Sequence, residues 1–298
     1  MIRRARKDAL HVRNRSRSGY DFVTLVAVSP ALAPFVAPNA YGDTSIDFAN
    51  PHAVKALNQA LLVHAYGLTT WDIPAGALCP AVPGRSDYVH YLADLLADSG
   101  GAICRGRDVA ILDIGAGASC IYPLVGAAEY GWRFVATDID PAAVQWARTV
   151  VAANSAAADL IECRLQSTPS ECFGGVIQPG EYFAASMCNP PFHASAAEAA
   201  AGTRRKQRNL GIAATAGLNF GGRSGELWCD GGELGFVGRM IAESVAVRDR
   251  CGWFTTLVSN SAHLPQLHVA LRRVNARDVR TITMAQGQKQ SRILAWKF

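Results

Sequence analysis

Residues 109–119 read VAILDIGAGAS and join an apolar run to a glycine-rich turn. The run at 109–114 predicts a buried β-strand, because a short apolar run bounded by turn signals is typical of a strand covered on both faces. Gly115 and Gly117 follow it, and glycine lets a backbone turn sharply and approach a ligand closely. In α/β sheets ligands bind at this carboxyl edge. The stretch therefore predicts an α/β fold with a ligand site after its first strand.

Strand and helix signals alternate from this stretch to the end of the chain. Further strands are predicted at 133–137, 160–165, 182–188, 253–259, 279–284 and 291–298, with helices between most of them, including one opened by Pro141 and others near 233–247 and 264–274. The last two strands follow each other without a helix and predict an antiparallel hairpin at one edge. The fold class is therefore α/β, with a seven-stranded doubly wound sheet as in class I (Rossmann-like) methyltransferases.

The glycine turn favours a nucleoside ligand without a diphosphate. A dinucleotide fingerprint has a third glycine three residues after Gly117, and Cys120 stands there, where its side chain would crowd a pyrophosphate. S-adenosylmethionine fits this turn. Asp138 ends the second strand, where a carboxylate can accept hydrogen bonds from both ribose hydroxyls, and Asp140 is expected to be a helix N-cap. The predicted cofactor-binding residues are Asp113, Gly115, Gly117, Ser119 and Asp138, with Asp113 expected near the methionine portion.

The fourth strand of the sheet ends in Asn189-Pro190-Pro191-Phe192. Two prolines prevent both a continued ladder and an immediate helix, so the backbone stays rigid and extended. The Asn189 amide oxygen and the Pro190 carbonyl can each accept one N–H of an adenine-type amine, while Phe192 stacks on the ring. The alternative is a proline-terminated strand with a packed phenylalanine. We predict that Asn189, Pro190, Pro191 and Phe192 form the catalytic site.

The net charge of +5 is unevenly placed. Seven of the first seventeen residues are Lys or Arg, and a second basic cluster follows the Asn189 motif at Arg204, Arg205, Lys206 and Arg208. Both clusters are candidates for phosphate contacts, and the alternative is a solvated tail and a solvated loop or helix face. A transit peptide is disfavoured by Asp8 and by the lack of a clear cleavage site.

Composition excludes several other classes. The longest apolar segment, 22–40, is broken by three prolines, so no membrane span is predicted. The eight cysteines have no Cys-x-x-Cys pair and no zinc-like spacing, so we expect free, largely buried thiols, no metal and a cytoplasmic protein. The predicted organisation is a basic tail at 1–18, an α-rich module at 19–105 without a catalytic constellation, and a methyltransferase domain at 106–298. Residues 193–230 are predicted to be irregular.

Sequence blocks along nearly the whole chain resemble one family, the ribosomal large-subunit adenine N6-methyltransferases (RlmF family). The blocks include 11–15 (HVRNR), 47–51 (DFANP), 82–85 (VPGR), 119–124 (SCIYPL), 189–192 (NPPF), 208–211 (RNLG), 218–222 (LNFGG), 226–229 (ELWC) and 284–292 (MAQGQKQSR). Val12 departs from the proline that the family usually has. Eukaryotic enzymes that methylate a spliceosomal RNA and mRNA hairpins are similar in the same blocks.

The resemblance implies methyl transfer from S-adenosylmethionine to N6 of one adenine in 23S rRNA or a large-subunit precursor. It implies that the N-terminal module and the 204–208 loop hold the RNA, and that Gln288, Lys289 and Arg292 line the entrance. The RNA-binding residues expected on this basis are Arg13, Arg15, Arg85, Arg204, Arg205, Lys206, Arg208, Lys289 and Arg292. A solvated hairpin is the alternative for the last two. The chain is expected to act as a monomer.

Two other functions remain possible from the residues themselves. Release-factor glutamine methyltransferases use a related Asn-Pro-Pro clamp on a side-chain amide, but they typically carry tyrosine where Phe192 stands. A noncatalytic RNA-binding assembly factor would need the basic surfaces alone and would not need Gly115, Asp138 or Asn189. A DNA adenine methyltransferase is disfavoured, because no separate domain for reading duplex sequence is recognisable.

Overall fold

A computed structural model of the chain describes residues 10–97, 101–198, 200, 224–286 and 289–298. Three helices dominate the N-terminal part, α1 (Phe22–Val28), α2 (Pro51–Tyr66) and α3 (Val82–Ala97). Between α1 and α2 lie a 3₁₀ helix (Pro30–Phe35) and a small antiparallel hairpin of β1 (Val36–Pro38) and β2 (Thr44–Ile46). The sequence did not predict this hairpin. Asn50 caps α2, since its side chain accepts hydrogen bonds from the His52 and Ala53 amides.

The rest of the described chain forms a seven-stranded sheet with flanking helices. The strands are β3 (Ala110–Ile114), β4 (Arg133–Asp138), β5 (Ile161–Leu165), β6 (Phe183–Cys188), β7 (Cys251–Val258), β8 (Asp278–Gln286) and β9 (Lys289–Lys297). The helices are α4 (Ile121–Tyr130), α5 (Pro141–Ala152), α6 (Ser155–Ala158), α7 (Ser224–Leu227), α8 (Gly232–Ser244) and α9 (Leu264–Arg273). The predicted α/β class and its seven strands are confirmed.

The strand order is β5-β4-β3-β6-β7-β9-β8. The pairs from β5 to β7 are parallel, whereas β9 runs antiparallel to both β7 and β8, which confirms the predicted hairpin at the edge. The order reverses between β3 and β6. In a parallel sheet a crevice opens at such a reversal, outside the carboxyl ends of the two strands, and ligands bind there.

Side chains alternate between the two faces of the sheet and divide the core into two clusters. Ile111 and Trp253 belong to a cluster with α1 to α5, and Leu112 and Phe254 to a second cluster with α8 and α9. The N-terminal helices therefore share a continuous core with one face of the sheet. None of the helices in the described part of the chain is both long enough and apolar enough to span a membrane.

Residues 11–15, which lie inside the predicted tail at 1–18, are tied to α3 and Tyr130 by buried and half-buried polar contacts. His11 Nε2 lies 2.8 Å from Asp94 Oδ2, and the Asn14 side-chain amide donates to Asp87 Oδ1 at 2.5 Å. Arg13 donates to the Asp94 carboxylate at 2.6 Å and to the Tyr130 hydroxyl at 3.0 Å. The part of the predicted tail at 11–15 (HVRNR) is therefore anchored to the fold.

His90, also on α3, gives this anchor a pH dependence. It is fully buried next to His11 and Arg13, and its Nδ1 lies 2.6 Å from the Tyr130 hydroxyl. Burial, with a smaller effect from the charge of His11, lowers the pKa of His90 from 6.5 to about 3. Because the folded pKa is the lower one, the unfolded chain takes up the proton first as pH falls. The stability that His90 contributes is therefore present above pH 6.5 and is lost as pH falls towards 3.

We expect the free energy of unfolding to fall by about 2 kcal/mol more between pH 7.5 and pH 5 in the wild type than in His90→Asn, which cannot titrate. Urea unfolding of both proteins at the two pH values measures the difference. Other titrating groups are common to both proteins and cancel in the comparison. Equal pH slopes would contradict a buried neutral imidazole.

Gly252 in β7 is required by its close contact with β6. A Cβ at this position would lie 2.8 Å from the carbonyl oxygen of Ala184 and 2.9 Å from the hydroxyl of Tyr182. Gly252→Ala should therefore lower the free energy of unfolding by about 1–3 kcal/mol, because the backbone of β6 cannot move out of the way cheaply. Gly238 in α8 is the matched control, since a Cβ there meets nothing within 4 Å. Gly238→Ala should raise stability by about 0.5–1 kcal/mol, and urea unfolding of the pair would reveal the opposite signs.

Candidate active site

A cavity of about 480 Å³ opens at the carboxyl ends of β3, β4 and β6. Its wall includes residues 114–119, Thr137 to Asp140, Cys188, Asn189 and Pro191 from the sheet, and Ala77, Leu78, Pro80, Arg85 and Glu226 from outside it. Its volume lies within the range of about 300–1,000 Å³ that is common for small-molecule sites. The predicted ligand edge of the sheet is therefore a formed pocket.

The glycine turn after β3 is fastened to the end of β4. The amides of Gly115 and Ala116 both donate to the Thr137 carbonyl at 2.9 Å, and the Gly117 amide donates to Asp138 Oδ2 at 2.9 Å. Gly115 and Gly117 have φ of 73° and 64°, in the left-handed region that favours glycine. Cys120, at the position of the missing third glycine, is fully buried at the start of α4 with φ of 48°. The turn presents backbone, and no side chain from its two glycines, to the cavity.

Carboxylates dominate the charge of the cavity wall. Asp138 accepts the Gly117 and Asp140 amides on different oxygens, and burial raises its pKa. Asp140 caps α5 by accepting the Ala142 amide, as predicted, and Glu171 and Glu226 bring the carboxylates of the wall to four, against two arginines, Arg85 and Arg239. S-adenosylmethionine carries a sulfonium and an ammonium, so an acidic pocket of this size fits it. Each oxygen of Asp138 can accept a further hydrogen bond beside the one from the backbone.

Asp113 differs from the other acids because it does not line the cavity. It is fully buried in β3, and neither of its carboxylate oxygens has a hydrogen-bond partner among the residues that the structure describes. Burial, and then the charge of Asp138, raise its pKa well above the usual range. Its proposed approach to the methionine portion stays a prediction. Ser119 lies in the wall, and its carbonyl accepts the indole N–H of Trp71 at 2.9 Å.

Two wall segments were not recognised as ligand-binding from the sequence. The connector at 71–84 and the residue Glu226 meet across the cavity, where Glu226 Oε2 accepts the Leu78 amide at 3.2 Å. A Cβ added to Gly117 would lie 3.5 Å from Glu226 Oε1. The module at 19–105, in which the sequence predicted no catalytic constellation, contributes Ala77, Leu78, Pro80 and Arg85 to the cavity wall. The only available signal was the membership of Glu226 in the block ELWC.

Arg85 was expected to bind RNA, and its position offers a second role. Its guanidinium donates to the Tyr122 hydroxyl at 2.7 Å and lies 5.5 Å from the centre of that ring. Because Arg85 lines the cavity among several carboxylates, it could pair with the carboxylate of a bound methionine group. Arg85 is thus a candidate cofactor ligand as well.

Asn189, Pro190 and Pro191 directly follow the carboxyl end of β6, as the sequence predicted. The Asn189 side-chain oxygen is buried and has no hydrogen-bond partner within the described part of the chain. Asn189 and Pro191 line the cavity, and Phe192 is half-buried. The next residue, His193, donates its amide to the Leu227 carbonyl at 3.1 Å and accepts the Cys229 amide at 3.1 Å. The segment 189–192 is therefore held by β6 on one side and by the His193 backbone bonds on the other. The Asn189 side-chain oxygen can still accept a hydrogen bond.

The remaining predicted RNA-binding residues have different positions. Arg13 has the partners given above, and Arg15 pairs with Glu129 at 2.8 Å and lies 5.7 Å from the Tyr66 ring centre. Both arginines therefore have a role in the fold, besides any contact with RNA. Arg204, Arg205, Lys206 and Arg208 lie outside the described residues. Lys289 is described through its backbone, which begins β9, and the half-buried Arg292 pairs with Val258 across the ladder.

The cysteines and the possible metal ligands are the remaining chemical groups of interest in the described part of the chain. All eight cysteines are free, and Cys120, Cys163 and Cys188 are buried, as expected from the sequence. No group of three or more His, Cys, Asp or Glu side chains among the described residues is arranged to hold a metal ion.

A mixed seven-stranded sheet of this order, with a glycine turn, an acid at the end of the next strand and a cavity at the switch point, defines an S-adenosylmethionine-dependent methyltransferase of class I. A family model described as RNA methyltransferase matches residues 4–298. The chain belongs to this RNA methyltransferase family.

Relatives and solved structures agree with this assignment. The chain is 56% identical over 296 residues to ribosomal RNA large subunit methyltransferase F of Yersinia enterocolitica, covering 98% of this chain and 88% of the relative. The same enzyme of Yersinia pestis is 55% identical with the same coverage. The hMettl16 catalytic domain in complex with MAT2A 3′UTR hairpin 1 matches with a TM-score of 0.82 and 33% identity, covering 97% and 96% of the two chains. The N-terminal domain of human METTL16 in complex with SAH matches with a TM-score of 0.76 and 30% identity, covering 97% and 98%.

Proposed function

We propose that the chain transfers a methyl group from S-adenosylmethionine to N6 of one adenine in 23S rRNA or a precursor of the large ribosomal subunit. The observation that carries the proposal is the buried Asn189 oxygen, which has no hydrogen-bond partner among the described residues and lies at the wall of a pocket that fits the methyl donor. Curated relatives at 55–56% identity bear a name that specifies large-subunit ribosomal RNA, which supports this choice of RNA.

Asn189 and Pro190 act on the adenine by each accepting a hydrogen bond from one N–H of its exocyclic amine. The amine is a poor nucleophile, since its lone pair is delocalised into the ring. Hydrogen bonds to the Asn189 oxygen and the Pro190 carbonyl favour a tetrahedral nitrogen, whose lone pair then points towards the cavity. The adenine must leave its stack to reach this position, and Phe192 would stack on the exposed ring.

The donor would be held by the residues of the cavity wall. Asp138 would accept the ribose hydroxyls, the backbone of Gly115 and Gly117 would lie against the ligand, and Arg85 would pair with its carboxylate. When bound, S-adenosylmethionine supplies an electrophilic methyl group on a sulfonium. The chain's contribution is mainly orientation, which can be worth about 7–11 kcal/mol in favourable intramolecular reactions. The methylated nitrogen carries a positive charge and is therefore acidic, so it releases one proton to water and no strong general base is needed.

The division of labour along the chain is also part of the proposal. Residues 1–18 and the module at 19–105 would bind the RNA together with the 204–208 cluster, Lys289 and Arg292, while residues 106–298 would carry the transfer site. We further propose that the protein acts as a monomer in the cytoplasm, where ribosomal subunits assemble.

Methyl transfer from labelled S-adenosylmethionine to separate RNAs tests the proposed substrate. The RNAs are unmodified transcripts of 23S and 16S rRNA, and large-subunit precursor particles prepared without the enzyme. Label in 23S rRNA, free or in particles, and not in 16S rRNA is the expected result. Label in a protein glutamine would favour the amide methyltransferase, and RNA binding without any label would favour the noncatalytic assembly factor.

A further inference from the structure

The hydroxyl of Tyr88 reaches from α3 to the end of β6. Tyr88 is fully buried, and its hydroxyl lies 3.3 Å from the backbone nitrogen of Cys188 and 2.8 Å from Thr255 Oγ1. Cys188 directly precedes Asn189. A side chain from the N-terminal helices therefore contacts the backbone next to the proposed acceptor residue, although Tyr88 is not among the residues of the cavity wall.

The directions of these hydrogen bonds follow from their donors. Thr255 Oγ1 lies 2.7 Å from the carbonyl oxygen of Ser186, which can only accept, so the threonine proton is used there. The Cys188 amide can only donate, so the Tyr88 oxygen accepts from it. The Tyr88 proton must then go to Thr255 Oγ1. The result is a one-way chain from the Cys188 amide through Tyr88 and Thr255 back to Ser186.

These two hydroxyls lie at the point where the pairing between β6 and β7 ends. In these two strands, which are described in full, the last pair between β6 and β7 is Ser186 with Phe254, whereas β6 runs on to Cys188. The strand then enters Pro190 and Pro191, which have no amide protons. The end of β6 thus loses its ladder on one side just before Asn189. Tyr88 and Thr255 supply fixed polar contacts at that point.

We propose that Tyr88 is a positioning residue for methyl transfer, which fixes the end of β6 so that Asn189 and Pro190 present their oxygens to the amine. Tyr88 acts through the Cys188 amide and touches neither substrate nor donor. The inference rests on the proposed role of Asn189. It assigns to the N-terminal helices a part in the chemistry besides RNA binding and closure of the cavity.

Tyr88→Phe removes the hydroxyl and keeps the ring. That ring packs edge-on against the Tyr122 ring, with 5.4 Å between the two ring centres. We expect kcat for RNA methylation to fall about 10- to 100-fold, because small displacements of reacting groups have effects of this size. The KM for S-adenosylmethionine and the RNA Kd should change by no more than about twofold. Thr255→Val removes the hydroxyl that accepts the Tyr88 proton in the next hydrogen bond, and it should also lower kcat.

Tyr66→Phe is the matched control. Tyr66 on α2 also directs a hydroxyl to α3, where it donates to Ser86 Oγ at 2.7 Å, and that bond does not reach β6. We expect Tyr66→Phe to lose comparable thermal stability while kcat stays at the wild-type value. Equal kcat values for wild type, Tyr88→Phe and Thr255→Val would overturn the proposal, as would an equal loss in Tyr66→Phe.

Hydrogen exchange of the peptide that spans Cys188 gives a second readout that needs no substrate. Tyr88→Phe should speed exchange at the Cys188 amide about tenfold, the effect of one lost hydrogen bond, and Tyr66→Phe should not. If the wild type methylates no RNA, the proposed function fails, and the exchange data alone decide whether Tyr88 fixes β6. Unchanged exchange in Tyr88→Phe would overturn the proposal whatever the activity.

Discussion

Replacing Asn189 with alanine is expected to lower kcat for RNA methylation about 10²- to 10³-fold, the usual effect of removing one preorganised polar group from a transition state. The Asn189 oxygen is buried without a partner among the described residues, so it can accept a hydrogen bond from the adenine amine without breaking an existing bond. Single-turnover methyl transfer with saturating RNA and donor measures the effect directly.

Two comparisons separate a role in the reaction from a role in the fold. The Kd of Asn189→Ala for S-adenosylmethionine should stay within about threefold of the wild type, because the lost interaction belongs to the acceptor base. Asn189→Asp keeps acceptor oxygens in the same place and should retain more activity than the alanine variant. A fully active Asn189→Ala would leave the strand end with only a structural role.

Asp138→Ala is expected to raise the Kd for S-adenosylmethionine about 10²-fold or more, because each hydrogen bond to a charged acceptor contributes about 1.5–3 kcal/mol. The variant loses the proposed ribose contacts and also the carboxylate that holds the Gly117 amide at 2.9 Å. Isothermal titration with the donor alone gives this value without any RNA.

Asp159→Ala provides the matched control for the loss of a carboxylate. Asp159 is exposed and precedes β5, so it lies at the amino edge of the parallel strands, away from the cavity. The Kd of Asp159→Ala for S-adenosylmethionine should equal that of the wild type. Asp138→Asn keeps an oxygen for the Gly117 amide but loses the charge. Its Kd for S-adenosylmethionine should lie between those of the wild type and Asp138→Ala. Equal affinities for all four proteins would remove Asp138 from the cofactor site.

Local sequence signals were sufficient for the sheet and for the backbone of the site. Buried strands such as β3 are apolar along their length, and the turns after them depend on residues such as Gly115 and Pro190 whose backbone behaviour is fixed locally. The carboxyl edge of a parallel sheet then brings Gly117, Asp138 and Asn189 together. The positions of these residues at one edge of the sheet therefore follow from the sequence alone.

Contacts between distant segments could not be inferred in the same way. Arg13 pairs with Asp94, 81 positions away, and Leu78 meets Glu226 across 148 positions. A basic side chain in a sequence does not show whether its partner is a phosphate or a carboxylate of the same chain. The sequence gives no sign of the contact between the Tyr88 hydroxyl and the Cys188 amide, because that contact forms only when α3 lies against β6. The three-residue strands β1 and β2 are too short to give a periodic signal.

Mass spectrometry of nucleosides tests the central claim most directly. The 23S rRNA is incubated with labelled S-adenosylmethionine and either the wild type or Asn189→Ala, and is then digested to nucleosides. The account predicts labelled N6-methyladenosine with the wild type and almost none with Asn189→Ala. Label in any other nucleoside, or equal N6-methyladenosine with both proteins, would contradict it.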